Sequence, residues 1–416
     1  MTATGELPEA ESGKRFNRGL AQLVSAEGIS VAGDWILNTA ASIAVFKETG
    51  STAAVSALLA LAALPTLALA PIAGAIADRR DRRRVMAAAD LASAAVLALC
   101  ILVATAGSEM VAAFGAVFVV AGLATFHRPA SEALLPSLVL PRDLGRANST
   151  LRLGARLAMI IGPAAAGLLM TSGGFRLVLA IDAVSFVVSA VLVAAIPAVI
   201  MPAVAQGQSA FRSAAAGLTY ARRSNRVRTV ILAIGVTMLV APIINAGTLT
   251  LVADTLHLPD NRYGVLLASE GAGALALAIV FMSLGPRLKL LPFGALGLLT
   301  TGGATVALGL APGFAAALAA MAVMGMGVVG LQVCFASYLQ RETVDEFRGR
   351  VMSLVSMVAS LAGLVGFALA GPFVYAFGVR QAFVGAGIVI CLSALPVLQL
   401  VLSQRTAVPR VEDVRA

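Results

Sequence analysis

A chain of 416 residues that is 59% hydrophobic and only 12% charged cannot fold as a water-soluble globule, because a soluble surface of that size needs many more polar side chains. The mean hydropathy of +0.93 instead predicts a helical protein that crosses a membrane several times. The net charge of +9 does not indicate a nucleic-acid partner, since the basic residues cluster in short loops between apolar runs.

Apolar runs of the length that a membrane-spanning helix needs, about 20 residues, follow one another along the whole chain. The twelve runs lie at about 20–46, 52–77, 85–106, 109–126, 147–171, 177–200, 229–252, 262–284, 290–311, 313–339, 351–376 and 381–403. The fold class that they predict is an all-α polytopic membrane protein with 12 transmembrane helices in two pseudo-symmetric six-helix bundles. The three cysteines have neither metal nor disulfide spacing, so we expect no metal and no cofactor.

The longest polar connection divides the chain into two halves. The predicted parts are a cytoplasmic tail at 1–19, a six-helix bundle at 20–200, a cytoplasmic linker at 201–228, a second six-helix bundle at 229–404 and a cytoplasmic tail at 405–416. In the linker, Phe211, Ala215 and Leu218 share one helical face, which predicts a short helix on the inner membrane surface, with a solvated linker as the alternative.

The basic residues give the orientation in the membrane. With the N-terminus inside, 24 of the 30 Lys and Arg residues lie in the tails and in the loops of one side, and only Lys47, Arg176, Arg262 and Arg380 lie on the other. This bias follows the positive-inside rule, so both termini are predicted to be cytoplasmic. Loops this short leave no room for a catalytic domain outside the bilayer, and no nucleophile or metal constellation is present. We therefore expect no enzyme.

The loop after the second run carries a recognisable pattern, G-x-x-x-D-R-x-x-R-R, formed by Gly74, Asp78, Arg79, Arg82 and Arg83. It resembles the gating loop of the major facilitator superfamily, with Asp81 where that family has a glycine. The resemblance implies that Gly74 allows close helix packing and that Asp78 lies near the start of the eleventh span, with the arginines as alternative partners. The alternative is that the arginines only anchor the topology.

A second pattern lies in the fifth run, where Gly162, Pro163 and Gly167 resemble the exporter element of the same superfamily. Small residues at every fourth position give a smooth helix face, and ordinary close packing is the alternative interpretation. Further stretches, including Arg348-Gly-Arg-Val-Met352, resemble the bacterial branch of macrolide efflux proteins and enterobactin-type siderophore exporters. The resemblance implies alternating access, a single subunit and the bacterial inner membrane.

Charged residues within apolar runs are costly and are therefore candidates for function, at about 2.5–3.5 kcal/mol each on insertion scales. Asp34 and Glu270 are our candidates for carrying coupling protons, with Glu27 or Arg156 adjusting them. A static ion pair that joins helices is the alternative for each. Asp90 and Asp182, nearer to helix ends, are interpreted as structural, and His127 is placed at the inner membrane face, far from the other histidine, His257.

The substrate is indicated only by the character of the spans. Phe118, Asn245, Met324 and Gln332 are candidates for an apolar cavity with a few polar groups, which suits an amphipathic molecule of drug size. The predicted function is proton-coupled export of a drug, a macrolide-like compound or a siderophore across the lipid bilayer. The alternatives are a lipid flippase, or an importer or facilitator of the same fold.

Overall fold

The computed structural model describes residues 9–197, 210–259, 261–284 and 289–406. Across these ranges the chain forms thirteen α-helices and no strand. The helices are α1 Glu9–Thr49, α2 Thr52–Arg79, α3 Arg82–Thr105, α4 Glu109–Leu134, α5 Leu144–Ser172, α6 Gly174–Ala194, α7 Ala210–Arg223, α8 Asn225–Thr250, α9 Asn261–Leu284, α10 Leu290–Gly309, α11 Phe314–Glu342, α12 Asp345–Phe377 and α13 Val379–Thr406.

Twelve of these helices are long and apolar enough to cross a membrane, and they correspond one by one to the twelve predicted runs. The remaining helix, α7, is the short helix predicted within the linker. Several boundaries differ from the prediction by six residues or more: α6 ends at Ala194 rather than at 200, α12 begins at Asp345 rather than at 351, and two helices differ further. Helix α1 begins at Glu9 rather than near residue 20, and α4 continues past residue 126 to Leu134. The apolar positions Ala130 and Leu134, both buried, extend the helical pattern of α4 beyond the first basic residues.

Short polar residues begin three of the spanning helices. The side chains of Ser51, Asp81 and Ser224 accept hydrogen bonds from backbone N–H groups of the first turn, at 3.3 Å from Ala54, 3.0 Å from Arg83 and 3.4 Å from Val227. Such N-caps satisfy amide groups that the helix itself leaves without acceptors. They fix where α2, α3 and α8 begin.

The chain divides into two compact units, residues 1–207 with 259–268 and residues 208–258 with 269–416. In the first unit α1 packs on α4, α5 and α6, α2 on α4, and α3 on α4 and α6. Leu23, Met86, Leu134 and Ile196 form part of a core at one end of this unit, each at most 4% exposed. This core ties together α1, α3 and α4 and the segment after α6, next to the loop that carries the arginines.

In the second unit α10 packs on α11 and α13, while α8 packs on α12 and α13. The short helix α7 lies against α12, where a Cβ added to Gly217 would collide with the carbonyl oxygen of Arg350. The rings of Tyr220 and Phe347 stack at 5.2 Å beside this contact. Helix α7 is therefore docked on the second unit by close backbone packing.

Apolar side chains cover much of the outer surface of both units. Leu102, Leu168 and Leu310 are each more than 60% exposed, and many other Leu, Val and Ile side chains are exposed beside them. Water would strongly disfavour such a surface, whereas lipid tails solvate it readily. The exposed surface therefore supports the assignment of the twelve long helices as membrane spans.

Candidate functional site

A cavity of about 620 Å³ lies inside the first unit, between α1, α3, α4, α5 and α6. Seven ionisable side chains line it, among them Glu27 and Asp34 from α1, Asp90 from α3 and His127 from α4. Glu27 and Asp34 are seven residues apart, so two helical turns bring both to the same face of α1. Carboxylates gathered within a membrane-spanning unit are expensive unless they are paired or protonated, which makes this cavity the candidate site.

A second cavity of about 420 Å³ borders the first. Its walls come from α1, α2 and α4, and Asp34, Arg128 and Glu132 line both cavities. Arg128 and Glu132 form an ion pair of 3.6 Å on one face of α4, with both side chains largely exposed. Asp34 therefore lies where the two cavities meet.

The imidazole of His127 lies between two carboxylates. Its Nε2 atom is 3.5 Å from Oδ1 of Asp90, and its Nδ1 atom is 3.7 Å from Oε2 of Glu27. The other oxygen of Asp90, Oδ2, accepts a hydrogen bond of 2.6 Å from the hydroxyl of Ser189 on α6. His127 and Asp90 are 6% and 1% exposed, so this group of side chains is well shielded from solvent. We call these four residues the histidine cluster.

Another carboxylate, Asp182 of α6, lies against α1 at Gly33. Its Oδ1 atom accepts a hydrogen bond of 3.1 Å from Ser185 and fills the space where Gly33 lacks a side chain. Oδ2 of Asp182 and Oδ1 of Asp34 are buried and have no hydrogen bond within the described residues. A buried oxygen of this kind is costly as a charged acceptor, and protonation relieves that cost.

The structure brings together only part of the predicted proton-coupling set. Glu27 and Asp34 share the larger cavity. Glu270 lies half-buried in the second unit, on α9, where its backbone carbonyl touches Gly325 of α11. The side chain of Arg156 lies outside the part of the chain that the structure describes. The coupling roles of these four residues therefore stay predictions.

The substrate-cavity candidates have dissimilar surroundings. Met324 is 3% exposed and its sulfur contacts the hydroxyl of Thr305 at 3.7 Å, so it lies between α10 and α11. Phe118, Asn245 and Gln332 are exposed on α4, α8 and α11. Among the described residues, no group of His, Cys, Asp and Glu side chains has an arrangement that could hold a metal ion.

In the basic loop, two of the predicted gating arginines bind backbone carbonyls of the first unit. Arg82 is 8% exposed, and its guanidinium donates to the carbonyls of Ala77 at the end of α2 and Ala133 at the end of α4, at 3.4 and 2.9 Å. Arg83 donates to the carbonyl of Ile196, just after α6, at 2.7 Å. In this conformation these two arginines join helix ends, whereas Arg79 is exposed.

The other two residues of the gating pattern give less information. A Cβ added to Gly74 would meet no heavy atom of the described residues within 4 Å, and the close packing expected at this glycine stays a prediction. The side chain of Asp78 lies outside the described residues. Its role at the start of the eleventh span stays a prediction.

Asp81, which replaces the glycine of the family pattern, is the N-cap of α3 and forms an ion pair of 2.9 Å with Arg83. The hydrogen bond from the Arg83 side chain is the main reason why the pKa of Asp81 is lowered from its usual value. A lowered pKa in the folded state means that the unfolded chain binds this proton more tightly. The stabilisation is therefore complete well above pH 3.8 and is lost as the pH falls through the folded-state pKa.

We expect Asp81→Ala to lower the free energy of unfolding by about 1 kcal/mol, because the cap is lost. Asp81→Asn should cost less, since asparagine also caps and the largely exposed ion pair is screened by solvent. Thermal unfolding of both variants in detergent at neutral and acidic pH measures these losses of stability. Equal melting temperatures for Asp81→Ala and wild type at neutral pH would show that the cap does not stabilise α3.

The exporter-type pattern in α5 lies in close backbone contacts of the first unit. A Cβ added to Gly162 would lie 2.6 Å from the Cβ of Trp35 on α1. One added to Gly167 would lie 2.9 Å from the carbonyl oxygen of Asn261, at the start of α9, and the carbonyl of Pro163 fills the space beside Gly264. All three residues of the pattern therefore lie where α5 closely approaches another helix.

The histidine cluster was not predicted from the sequence. His127 was expected at the inner membrane face, whereas the extension of α4 to Leu134 puts this histidine inside the helix and buries it. Asp90 and Asp182 are interpreted from the sequence as structural residues near helix ends. Their positions beside α1 depend on how α3, α4 and α6 pack, which the sequence does not give. The continued apolar spacing after His127 was the signal that could have extended α4.

Comparisons with known proteins agree with this architecture. The model of the Major Facilitator Superfamily matches residues 23–342 and 229–415. The multidrug efflux pump Tap of Mycobacterium tuberculosis is 27% identical over 93% of this chain and 94% of its own, and macrolide efflux protein A of Streptococcus pyogenes is 25% identical over 89% and 93%. The crystal structure of a mutant of the nucleoside transporter NupG superposes with a TM-score of 0.76 at 13% identity, over 92% of this chain and 99% of that one.

The resemblance inferred from the two sequence patterns is thereby confirmed, and so is the fold class. The structural neighbour supports the fold alone, while the family model covers more than half of the chain. Twelve membrane-spanning helices and transporter relatives of nearly the same length agree with each other. This chain belongs to the Major Facilitator Superfamily and is a membrane-spanning transporter.

Proposed function

We propose that this transporter exports an amphipathic small molecule from a bacterial cytoplasm by alternating access and exchanges it for protons. The observation that carries the proposal is the set of carboxylates around one cavity, Glu27, Asp34 and Asp90. A shielded carboxylate can take up a proton when the surroundings favour its neutral form and release it when they change. Export agrees with the names of the relatives, a multidrug efflux pump and a macrolide efflux protein.

The proposed setting is the bacterial inner membrane, with both termini in the cytoplasm and one chain as the working unit. The excess of Lys and Arg in alternate loops supports this orientation. A cavity of about 620 Å³ is within the range of small-molecule sites, and its walls combine Trp35, Leu123 and Phe186 with the carboxylates. A drug-sized molecule with an apolar body and a polar or basic group suits such walls.

The test is transport in proteoliposomes under an imposed pH gradient, with a small panel of macrolides, dyes and catechol siderophores. We expect uptake into inside-out vesicles that stops when the gradient is discharged. Asp34→Asn should reduce gradient-driven uptake by at least about tenfold, because an amide cannot exchange a proton. The matched control is Asp254→Asn, the same change at an exposed aspartate after α8, which should leave uptake unchanged.

Two outcomes would contradict the proposal in different ways. Movement that does not depend on the gradient would remove proton coupling and favour a facilitator or a lipid flippase, which a lipid-asymmetry assay would then identify. Substrate movement only in the inward direction would indicate an importer. Full gradient-driven uptake by Asp34→Asn would remove this residue from the coupling mechanism.

A further inference from the structure

We propose that His127 is a proton-carrying group of this transporter and that its protonation holds α1 against α4. The inference rests on the proposed function for its link to transport, but its structural part stands on the histidine cluster alone. The residues that carry it are His127, Glu27, Asp90 and Ser189, from α4, α1, α3 and α6.

The protons of the cluster can be counted from its contacts. A neutral imidazole has one N–H group and one nitrogen lone pair, whereas an ionised carboxylate only accepts hydrogen bonds. In the cluster each ring nitrogen faces a carboxylate oxygen, at 3.5 Å for Asp90 and 3.7 Å for Glu27. Each of these two contacts is attractive only if a proton lies within it. Two protons shared among the three groups make both contacts attractive, and Nε2 of His127 has no other hydrogen bond within the described residues.

One of the two contacts is better placed to exchange its proton. Asp90 is fixed as an acceptor, because Ser189 donates to Oδ2 at 2.6 Å, and its side chain is 2% exposed. Glu27 has an 18% exposed side chain, while its Oε2 atom, which faces Nδ1, is itself buried and has no hydrogen bond within the described residues. Both carboxylates border the cavity and Glu27 is the more exposed of the two, so we place the proton exchange at its contact with His127.

Movement of one proton changes the charges within the cluster. When the carboxyl group of Glu27 gives its proton to Nδ1, the imidazole carries protons on both nitrogens and lies as a cation between two carboxylates. When that proton leaves through the cavity, Nδ1 keeps a lone pair that faces the Glu27 carboxylate. The resulting repulsion, weakly screened inside the unit, acts between α1 and α4, while the contact with Asp90 on α3 keeps its proton.

The other charged groups near the cluster do not take the place of Glu27 and Asp90 beside the imidazole of His127. The remaining ionisable residues that line the cavity are Asp34 from α1, Arg128 and Glu132 from α4 and Arg152 from α5, while Asp182 of α6 lies beyond, against Gly33. Arg128 pairs with Glu132, and Arg152 is exposed. Helix α2, which packs on α4, contributes Ala62 and Thr66 to the adjoining cavity, and neither is ionisable.

The chain permits a direct test, because it contains only two histidines and the second, His257, is exposed. Full-length protein with ¹⁵N-labelled histidine in nanodiscs gives two sets of ring signals, and His257→Gln assigns them. We expect the Nδ1 signal of His127 to switch between protonated and unprotonated forms as the pH of the sample is raised. Glu27→Gln should move the midpoint by at least about one pH unit, a tenfold change in proton affinity.

Transport supplies the second readout. His127→Gln should reduce gradient-driven uptake by at least about tenfold and flatten its pH profile, while His257→Gln keeps both. A His127 signal that does not change with pH, or full gradient-driven uptake by a folded His127→Gln variant, would overturn the proposal. If wild type moves no substrate of the panel, the proposed function fails, and the histidine titration alone then decides this inference.

Discussion

Gly162→Ala is expected to destabilise the first unit, although alanine is the better helix former. The added Cβ would lie 2.6 Å from the Cβ of Trp35, 3.2 Å from the carbonyl oxygen of Ala32 and 3.4 Å from the amide nitrogen of Ile36. All three are atoms of α1 that move only with the helix itself, so α1 and α5 must separate. Overpacking of this kind costs about 1–3 kcal/mol.

The matched control is Gly154→Ala, two turns earlier in the same helix, where a Cβ meets no heavy atom within 4 Å. This variant should be unchanged or more stable by up to about 1 kcal/mol, since it gains only helix propensity. Melting temperatures measured by size-exclusion chromatography after heating compare the two. We also expect lower transport for Gly162→Ala, because Asp34 and Trp35 line the cavity at this contact. Equal stability of the two variants would contradict the packing argument.

Arg82→Ala is expected to destabilise the same unit by about 2 kcal/mol, because two carbonyl groups lose a charged donor in a buried place. Those carbonyls belong to Ala77 and Ala133, at the ends of α2 and α4. Removing the guanidinium therefore releases two helix ends from α3. Its aliphatic stem also packs within the unit, and that contact is lost as well.

Two variants separate this bonding role from a general effect of charge. Arg84→Ala removes the same charge from the same loop, but its side chain is 89% exposed, so its stability should change by less than about 0.5 kcal/mol. Arg82→Lys keeps the charge but lacks the planar guanidinium that donates to two carbonyls at once. We therefore expect an intermediate loss of stability. Thermal unfolding in detergent at equal ionic strength measures all three. Similar losses for Arg82→Ala and Arg84→Ala would indicate that charge alone matters.

For the basic loop, the sequence predicts its place at the membrane surface, and the tertiary structure decides which of its arginines is buried. Its five arginines mark a membrane surface from composition alone, because no such cluster enters a hydrocarbon core. The family pattern includes Arg82 and not Arg84, but the sequence does not tell which arginine of this basic run is buried. Only the packing of α2, α3 and α4 buries the former and leaves the latter exposed.

The candidate site was only partly predictable from the sequence. Glu27 and Asp34 share a face of one helix, and helical spacing alone brings them together. His127, Asp90 and Ser189 come from three different helices, and nothing in the local sequence relates them. Helix contacts of this kind depend on small residues such as Gly33 and Gly162, whose partners a single sequence does not reveal.

The sequence by itself determined the twelve spans, the proposed orientation and the family resemblance, because hydrophobic length and charge placement act on each segment separately. The tertiary structure decided which ionisable groups meet, which arginine is buried and where cavities lie. These depend on several helices at once, since a side chain's partners are set by the packing of its neighbours. The histidine cluster, with Asp90 1% exposed, exists only in the packed unit.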